Sequence, residues 1–150
     1  MKPSPDFKNN LSIVEEAGRP NYCYQCSSCL PECPAALSRA DFNPREIVLA
    51  ALLGITKHLT EKDSVIWECT TCYKCYERCP QGTHPVEVIT ALKNEAYKAG
   101  NAPDDVEKAR ENIIELGSLI PPSDAIEKRR RELGLPSWPS RSGQLRKIME

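Results

Sequence analysis

Cys69-Thr70-Thr71-Cys72-Tyr73-Lys74-Cys75-Tyr76-Glu77-Arg78-Cys79-Pro80 is the stretch on which the fold turns. Its four cysteines follow one another at spacings of x2, x2 and x3, and proline stands directly after the fourth. The same spacing occurs once before, as Cys23-x2-Cys26-x2-Cys29-x3-Cys33-Pro34. This duplicated run is the internal repeat of the chain, and it accounts for all 8 cysteines.

Both runs match the C-x2-C-x2-C-x3-C-P pattern that holds [4Fe–4S] cubes in bacterial two-cluster ferredoxins. Three thiols at intervals of three wrap a tight loop around one cube, and the loop's backbone N–H groups can face its sulfurs. The fourth cysteine begins the next segment and reaches the other cube. The spacing therefore predicts crossed ligation: Cys23, Cys26, Cys29 and Cys79 on one cluster, Cys69, Cys72, Cys75 and Cys33 on the other. The proline after each fourth cysteine restricts φ and helps turn the chain out of the loop. Zinc explains the pattern less well, because a zinc site pairs two C-x2-C halves and leaves a third cysteine redundant. Disulfides between cysteines three apart are strained and leave the duplication unexplained. The two histidines, His58 and His84, are not needed as ligands once eight thiols serve two cubes. His58 is expected late in a helix, where a cation suits the dipole; His84 is expected in a turn before Pro85.

The totals narrow the class. The chain has 150 residues, enough for one ordinary domain with arms. Aromatic content is 6% and net charge −1, so the core is small and nucleic acid is not the expected partner. Met1 to Asn10 shows no apolar signal-peptide region, and the strongest apolar stretch, Ile47 to Ile55, is too short to span a membrane. A cytoplasmic, reducing location without membrane insertion is expected, where clustered cysteines bind metal more often than each other.

The remaining pattern is helical. Residues 1–19 read as a polar arm with one short turn at Leu11, Ile13 and Val14. Asn43 and Pro44 suit the N-cap and first position of a helix whose apolar face is Ile47, Val48, Ala51, Leu52 and Ile55. A short helix is expected around Lys62 to Trp67. Val88, Ile89, Leu92 and Ala96 mark a longer one ending near Gly100. From Asn101 and Pro103 a further helix should turn Val106, Ala109, Ile113 and Leu116 inward, the stripe covering its own core or a partner, and stop at Gly117. A charged helix from about Asp124 to Leu133 follows the break at Pro121-Pro122-Ser123, and a Pro- and Ser-rich tail follows Gly134. No alternating strand pattern appears. The expected fold is all-α: an arm (1–19), a two-cluster domain (20–100) and a helical C-terminal extension that contacts other subunits (101–150). Tyr22, Tyr24, Trp67, Tyr73 and Tyr76 flank the cysteine runs and are expected either to exclude water from the clusters or to pack as core. The run Lys128 to Arg131 is a solvated face or a dock for an acidic partner.

The long gap between the runs, with a full helix inside it, resembles the α-helical ferredoxin domain of succinate dehydrogenase and related complexes. The likeness narrows further. Ile66-Trp67-Glu68 followed by Cys69 to Pro80, the opening Cys23-Tyr24-Gln25-Cys26-Ser27-Ser28-Cys29, the intervening Asn43 to Val48 and Ala51 to Gly54, and Arg129 to Pro136 together resemble the C component of soluble heterodisulfide reductase. The resemblance covers about residues 20 to 136. It implies a relay subunit of an archaeal oxidoreductase that reduces the mixed disulfide of coenzyme M and coenzyme B in methanogenesis. The partners it implies are a flavin- and iron–sulfur-bearing A component, a CCG-type catalytic B component, and hydrogenase or formate dehydrogenase in a larger complex. This chain has no adjacent Cys-Cys pair and no G-x-G-x-x-G fingerprint, so no catalytic residue is assigned to it. One departure from a typical ferredoxin run is Pro31, which is expected to remove an N–H that faces sulfur and so to make the two clusters unequal. Two other readings stand beside the relay: a free electron carrier, and the iron–sulfur subunit of another oxidoreductase of quinone-linked or glycolate-oxidising type. Some fifty residues beyond Gly100 favour a subunit over a free carrier.

Overall fold

The computed structural model of the chain describes residues 19–137 together with Pro3, Asp6 and Phe7. Its α-helices are α1 (Pro34–Ser38), α2 (Pro44–Leu53), α3 (Lys74–Glu77), α4 (Pro85–Lys98), α5 (Asp104–Leu116) and α6 (Asp124–Glu132), with 3-10 turns at Pro20–Tyr22, Lys57–Leu59 and Val65–Glu68. No strand occurs among the described residues. The fold is the all-α one the sequence suggests.

Local chemistry sets where the two main helices begin. The Asn43 side-chain oxygen accepts from the backbone N–H of Arg45 at 3.1 Å and of Glu46 at 3.4 Å, and Pro44 fills the first helical position. α2 ends where Gly54 takes φ 68°, a left-handed stop that glycine adopts without cost. Ile55, expected on the helical face, therefore lies one residue past that stop. α4 opens on Pro85 and runs for 14 residues. α2 and α4 pack on each other and bury Phe42, Ile47, Val48, Ala51, Leu59, Ile66, Val88, Ile89, Leu92 and Ala96. Phe7, within the expected N-terminal arm, packs against this core. The expected turn at Leu11, Ile13 and Val14 lies outside the described residues, as does most of the C-terminal tail.

Two local expectations change. The helix expected over Lys62 to Trp67 is a 3-10 turn at Val65–Glu68, opened by Ser64, whose hydroxyl accepts from the Ile66 N–H at 3.4 Å. Only Ile66 of this turn is buried, so one tight turn satisfies the core. His58 is exposed in the turn Lys57–Leu59, after α2 has ended, so it is not at the end of that helix where a dipole would act on it.

The chain divides into two compact units, one ending at Ala102 and the other starting at Pro103. The second carries α5 and α6, and neither helix has a buried residue. Gly117 stops α5 as expected, at φ 69°. The apolar stripe of Val106, Ala109, Ile113 and Leu116 does not form a core, and Ile113 is 40% exposed. Two short charge-rich helices hold too little apolar surface to enclose one. In α6 the Ser123 hydroxyl caps Ile126, and Arg130 donates to the Pro136 carbonyl at 2.8 and 3.1 Å. Of the basic run, Lys128, Arg129 and Arg131 are exposed.

Candidate metal centre

The two cysteine runs fold alike. Gln25 and Ser27 in the first, and Thr71 and Tyr73 at the matching positions of the second, have φ of 63, 66, 53 and 60°. Left-handed residues set into a loop turn neighbouring N–H groups toward one side, an arrangement that suits an anion. None of the four is glycine, the usual signal for this conformation, so sequence reading missed them. In the first run the N–H of Leu30 donates to the Ser27 carbonyl and that of Cys33 to Leu30; in the second, Tyr76 donates to Tyr73 and Cys79 to Tyr76. The copies part at two bonds, one of them from the Arg78 N–H to the Lys74 carbonyl at 3.1 Å. The N–H of Glu77 donates to the Tyr73 carbonyl at 3.2 Å and helps close α3. Its counterpart is Pro31, which has no N–H. The bond that Pro31 removes is thus a helical one, not the donor to sulfur that the sequence suggested. The two prolines that follow the runs also differ: Pro34 starts α1, whereas Pro80 lies in a turn closed by the Gly82 N–H on the Cys79 carbonyl.

All eight cysteines are free thiols, and they gather in two groups of four. Cys23, Cys26, Cys29 and Cys79 line one cavity with Arg45, Val48, Pro80 and Pro85. Cys33, Cys69, Cys72 and Cys75 line the other with Ala35, Phe42, Pro44, Val86 and Ile89. These cavities hold about 300 and 320 Å³ of space, part of it open to solvent. The first turns of α2 and α4 stand between them: Pro44 faces one and Arg45 the other, while Pro85 faces one and Val86 the other. Four soft sulfur donors per cavity, with few oxygen donors beside them, fit an iron–sulfur cube. Among the described residues, no three His, Cys, Asp or Glu side chains close on a single metal ion, as a zinc site requires.

The thiols are not equivalent. Burial pushes Cys29 up to about 11 and Cys75 up to about 12, and nearby thiols add to both shifts. Burial also raises Cys69, against the opposing pull of the Thr71 N–H and the Lys93 ammonium. At Cys79 burial raises the thiol, but N–H groups of Thr83, Gln81 and His84 together outweigh it and leave the group below its ordinary value. Cys26 lies in solvent, and its bond to the Ser28 hydroxyl lowers it. Gln25 donates to the Cys23 sulfur at 3.2 Å, and the Thr83 N–H donates to the Cys79 sulfur at the same distance.

Around the cavities stand charges and rings. Lys93 donates to the Cys69 carbonyl at 2.9 Å and lies 5.8 Å from the Trp67 ring centre. Glu32 and Arg78, matching positions of the two runs, pair with each other. The aromatics divide between the expectations. Trp67 packs against the core and Tyr73 lines the second cavity, whereas Tyr22 and Tyr24 are 62% and 59% exposed and line neither cavity. The rest of the apolar wall is aliphatic, apart from Phe42. Tyr76 stacks on His84 at 3.6 Å between ring centres, so His84 serves as a stacking partner in the turn that opens α4.

A helical frame that draws eight thiols into two groups of four defines an α-helical protein with two [4Fe–4S] clusters. Residues 19–83 match the family described as "4Fe-4S dicluster domain". Longer similarity runs to curated archaeal proteins. The C2 subunit of the H(2)/formate:CoB-CoM heterodisulfide,ferredoxin reductase of Methanococcus maripaludis is 37% identical over 145 residues, covering 90% of this chain and 77% of that protein. The second iron–sulfur C subunit of the CoB–CoM heterodisulfide reductase of Methanocaldococcus jannaschii is 37% identical, covering 87% and 74%. The corresponding C subunit of Methanopyrus kandleri is 32% identical, covering 98% and 79%. The chain belongs to the heterodisulfide reductase C-subunit family of iron–sulfur proteins.

Proposed function

We propose that this chain is the electron-relay subunit of a heterodisulfide reductase complex. It carries no substrate chemistry of its own and wires a flavin-bearing A component to a CCG-type B component that reduces the coenzyme M–coenzyme B disulfide. When bound, the clusters supply one-electron transfer without bond making. Cys23, Cys26, Cys29 and Cys79 hold one cluster, and Cys33, Cys69, Cys72 and Cys75 hold the other. The observation that carries the reading is the closeness of the two four-thiol cavities, which share walls from the first turns of α2 and α4. Those turns are anchored in the main core through Ile47, Val48, Val88 and Ile89, which limits movement of the ligands during transfer.

The unit from Pro103 onward supports assembly with partners. Leu119, Ile120, Ile126, Leu133 and Leu135 are exposed in it, beside a basic run suited to an acidic surface. A hydrogenase or formate dehydrogenase feeds the assembled complex. Among the described residues no helix is long and apolar enough to cross a membrane, in keeping with a cytoplasmic assembly.

The test has two stages. Anaerobically reconstituted chain should hold about eight iron and about eight labile sulfide, from two four-iron cubes. In a complex rebuilt from its purified components, leaving this chain out should stop disulfide reduction while the flavin-bearing component still accepts electrons. An undiminished rate without it would refute the relay.

A further inference from the structure

Among the described residues, three buried side-chain polar atoms have no hydrogen-bond partner: Arg45 Nε, Trp67 Nε1 and Thr83 Oγ1. An unpaired buried donor is costly, and such groups stand where something further is bound. Arg45 is the one of the three that lines a four-thiol cavity, the one holding Cys23, Cys26, Cys29 and Cys79. Its other nitrogens are engaged. One Nη donates to Glu46 at 3.0 Å and the other to the Gln25 side chain at 3.5 Å. Gln25 in turn donates to the Cys23 sulfur. The guanidinium is thus held at the cavity wall with its Nε–H left over. In the second cavity the charged residue on the wall is Lys74, a flexible ammonium with no planar donor to hold in place, and the nearby Lys93 ammonium is directed to the Cys69 carbonyl.

We infer that Arg45 donates its Nε–H to the cluster in the Cys23–Cys26–Cys29–Cys79 cavity and sets that cluster's reduction potential above the value its thiolates alone would give. Each electron added makes the centre more negative, so a fixed cation with a free donor favours the reduced form. Glu46 opposes this, because its carboxylate partly neutralises the guanidinium from outside the cavity. Arg45 is therefore a tuning residue for one of the two centres, and α2 carries both the tuning charge and its brake.

This inference rests on the proposed ligand sets, so the test separates the two. The full-length chain is reconstituted without oxygen and titrated redox-potentiometrically, with the reduced clusters followed by EPR. Cys33→Ser leaves the Cys23-site cluster as the observed one; Cys79→Ser leaves the other. In the first background Arg45→Met should shift the reduction equilibrium at least tenfold toward the oxidised form, about 59 mV for one electron. Arg45→Lys, which keeps the charge and loses the planar donor, should recover part of that shift. Glu46→Gln keeps the oxygen that Asn43 and Arg45 use and should move the same midpoint upward. In the second background Arg45→Met should move nothing. A merely structural role for Arg45 predicts that Glu46→Gln shifts the midpoint equally with Arg45 present and in the Arg45→Met background, whereas the inference predicts a larger shift with Arg45 present. An unchanged midpoint in the first background, or an equal shift in both, overturns the inference. Mapping of the thiols freed in the two cysteine variants tests the ligand sets independently.

Discussion

Cys79→Ser tests crossed ligation most directly. In the structure the Cys79 thiol lies across the cavity of the first run, not that of its own run. Serine keeps an acceptor for the Thr83 N–H, now 3.2 Å from sulfur, but oxygen is a poor ligand where iron is held by soft thiolates. Cys79 is no part of the main core, so helix content should be retained. Iron should fall from about eight to about four per chain. Pulse alkylation followed by peptide mass spectrometry should label Cys23, Cys26 and Cys29 and spare Cys33, Cys69, Cys72 and Cys75. Labelling should also be graded with pH. Cys26 is exposed and lowered by Ser28, so it should react first. Cys29 is held up at about 11; at pH 8 about one molecule in a thousand carries its thiolate, and its rate should rise about tenfold per pH unit until that value is reached. If Cys69, Cys72 and Cys75 are labelled instead, the crossed assignment is wrong.

Three further outcomes are expected. Cys33→Ser should give the converse labelling, freeing Cys69, Cys72 and Cys75, with the buried Cys75 the slowest because its thiol is held up at about 12. Leu92→Ala, at a side chain with no solvent exposure in the contact between α2 and α4, should cost about 2–5 kcal/mol in denaturant unfolding of the cluster-loaded chain; a loss below about 1 kcal/mol would show that this helix pair is not the core. Asn43→Ala removes the oxygen that accepts from Arg45 and Glu46 and should cost about 1 kcal/mol by the same assay.

Much of the site was legible because cysteine spacing is a local property of the chain. Two runs of x2, x2, x3 define two loops whatever surrounds them, and Asn43-Pro44 or Gly117 mark helix ends through their own backbone chemistry. The aromatics were read only in part, because flanking a ligand in sequence does not decide facing it; Tyr73 lines a cavity and Trp67 packs on the core, while Tyr22 and Tyr24 point to solvent. The stripe on α5, expected to cover its own core or a partner, encloses no core for a related reason. Periodicity shows that a helix has an apolar face, while burial depends on whether another apolar surface meets it.

The sequence alone determined the helical class, the eight thiols and the family, since these rest on residue identity and spacing. The spacing predicted which thiols stand together, but only the tertiary structure decided the packing of α2 against α4 that brings Cys33 and Cys79 to those cavities. It also decided the left-handed backbone at Gln25, Ser27, Thr71 and Tyr73, a conformation with little local preference outside glycine. The unpaired Arg45 Nε–H at one cavity belongs to the same class of fact: a donor is left over only once every neighbour has been placed.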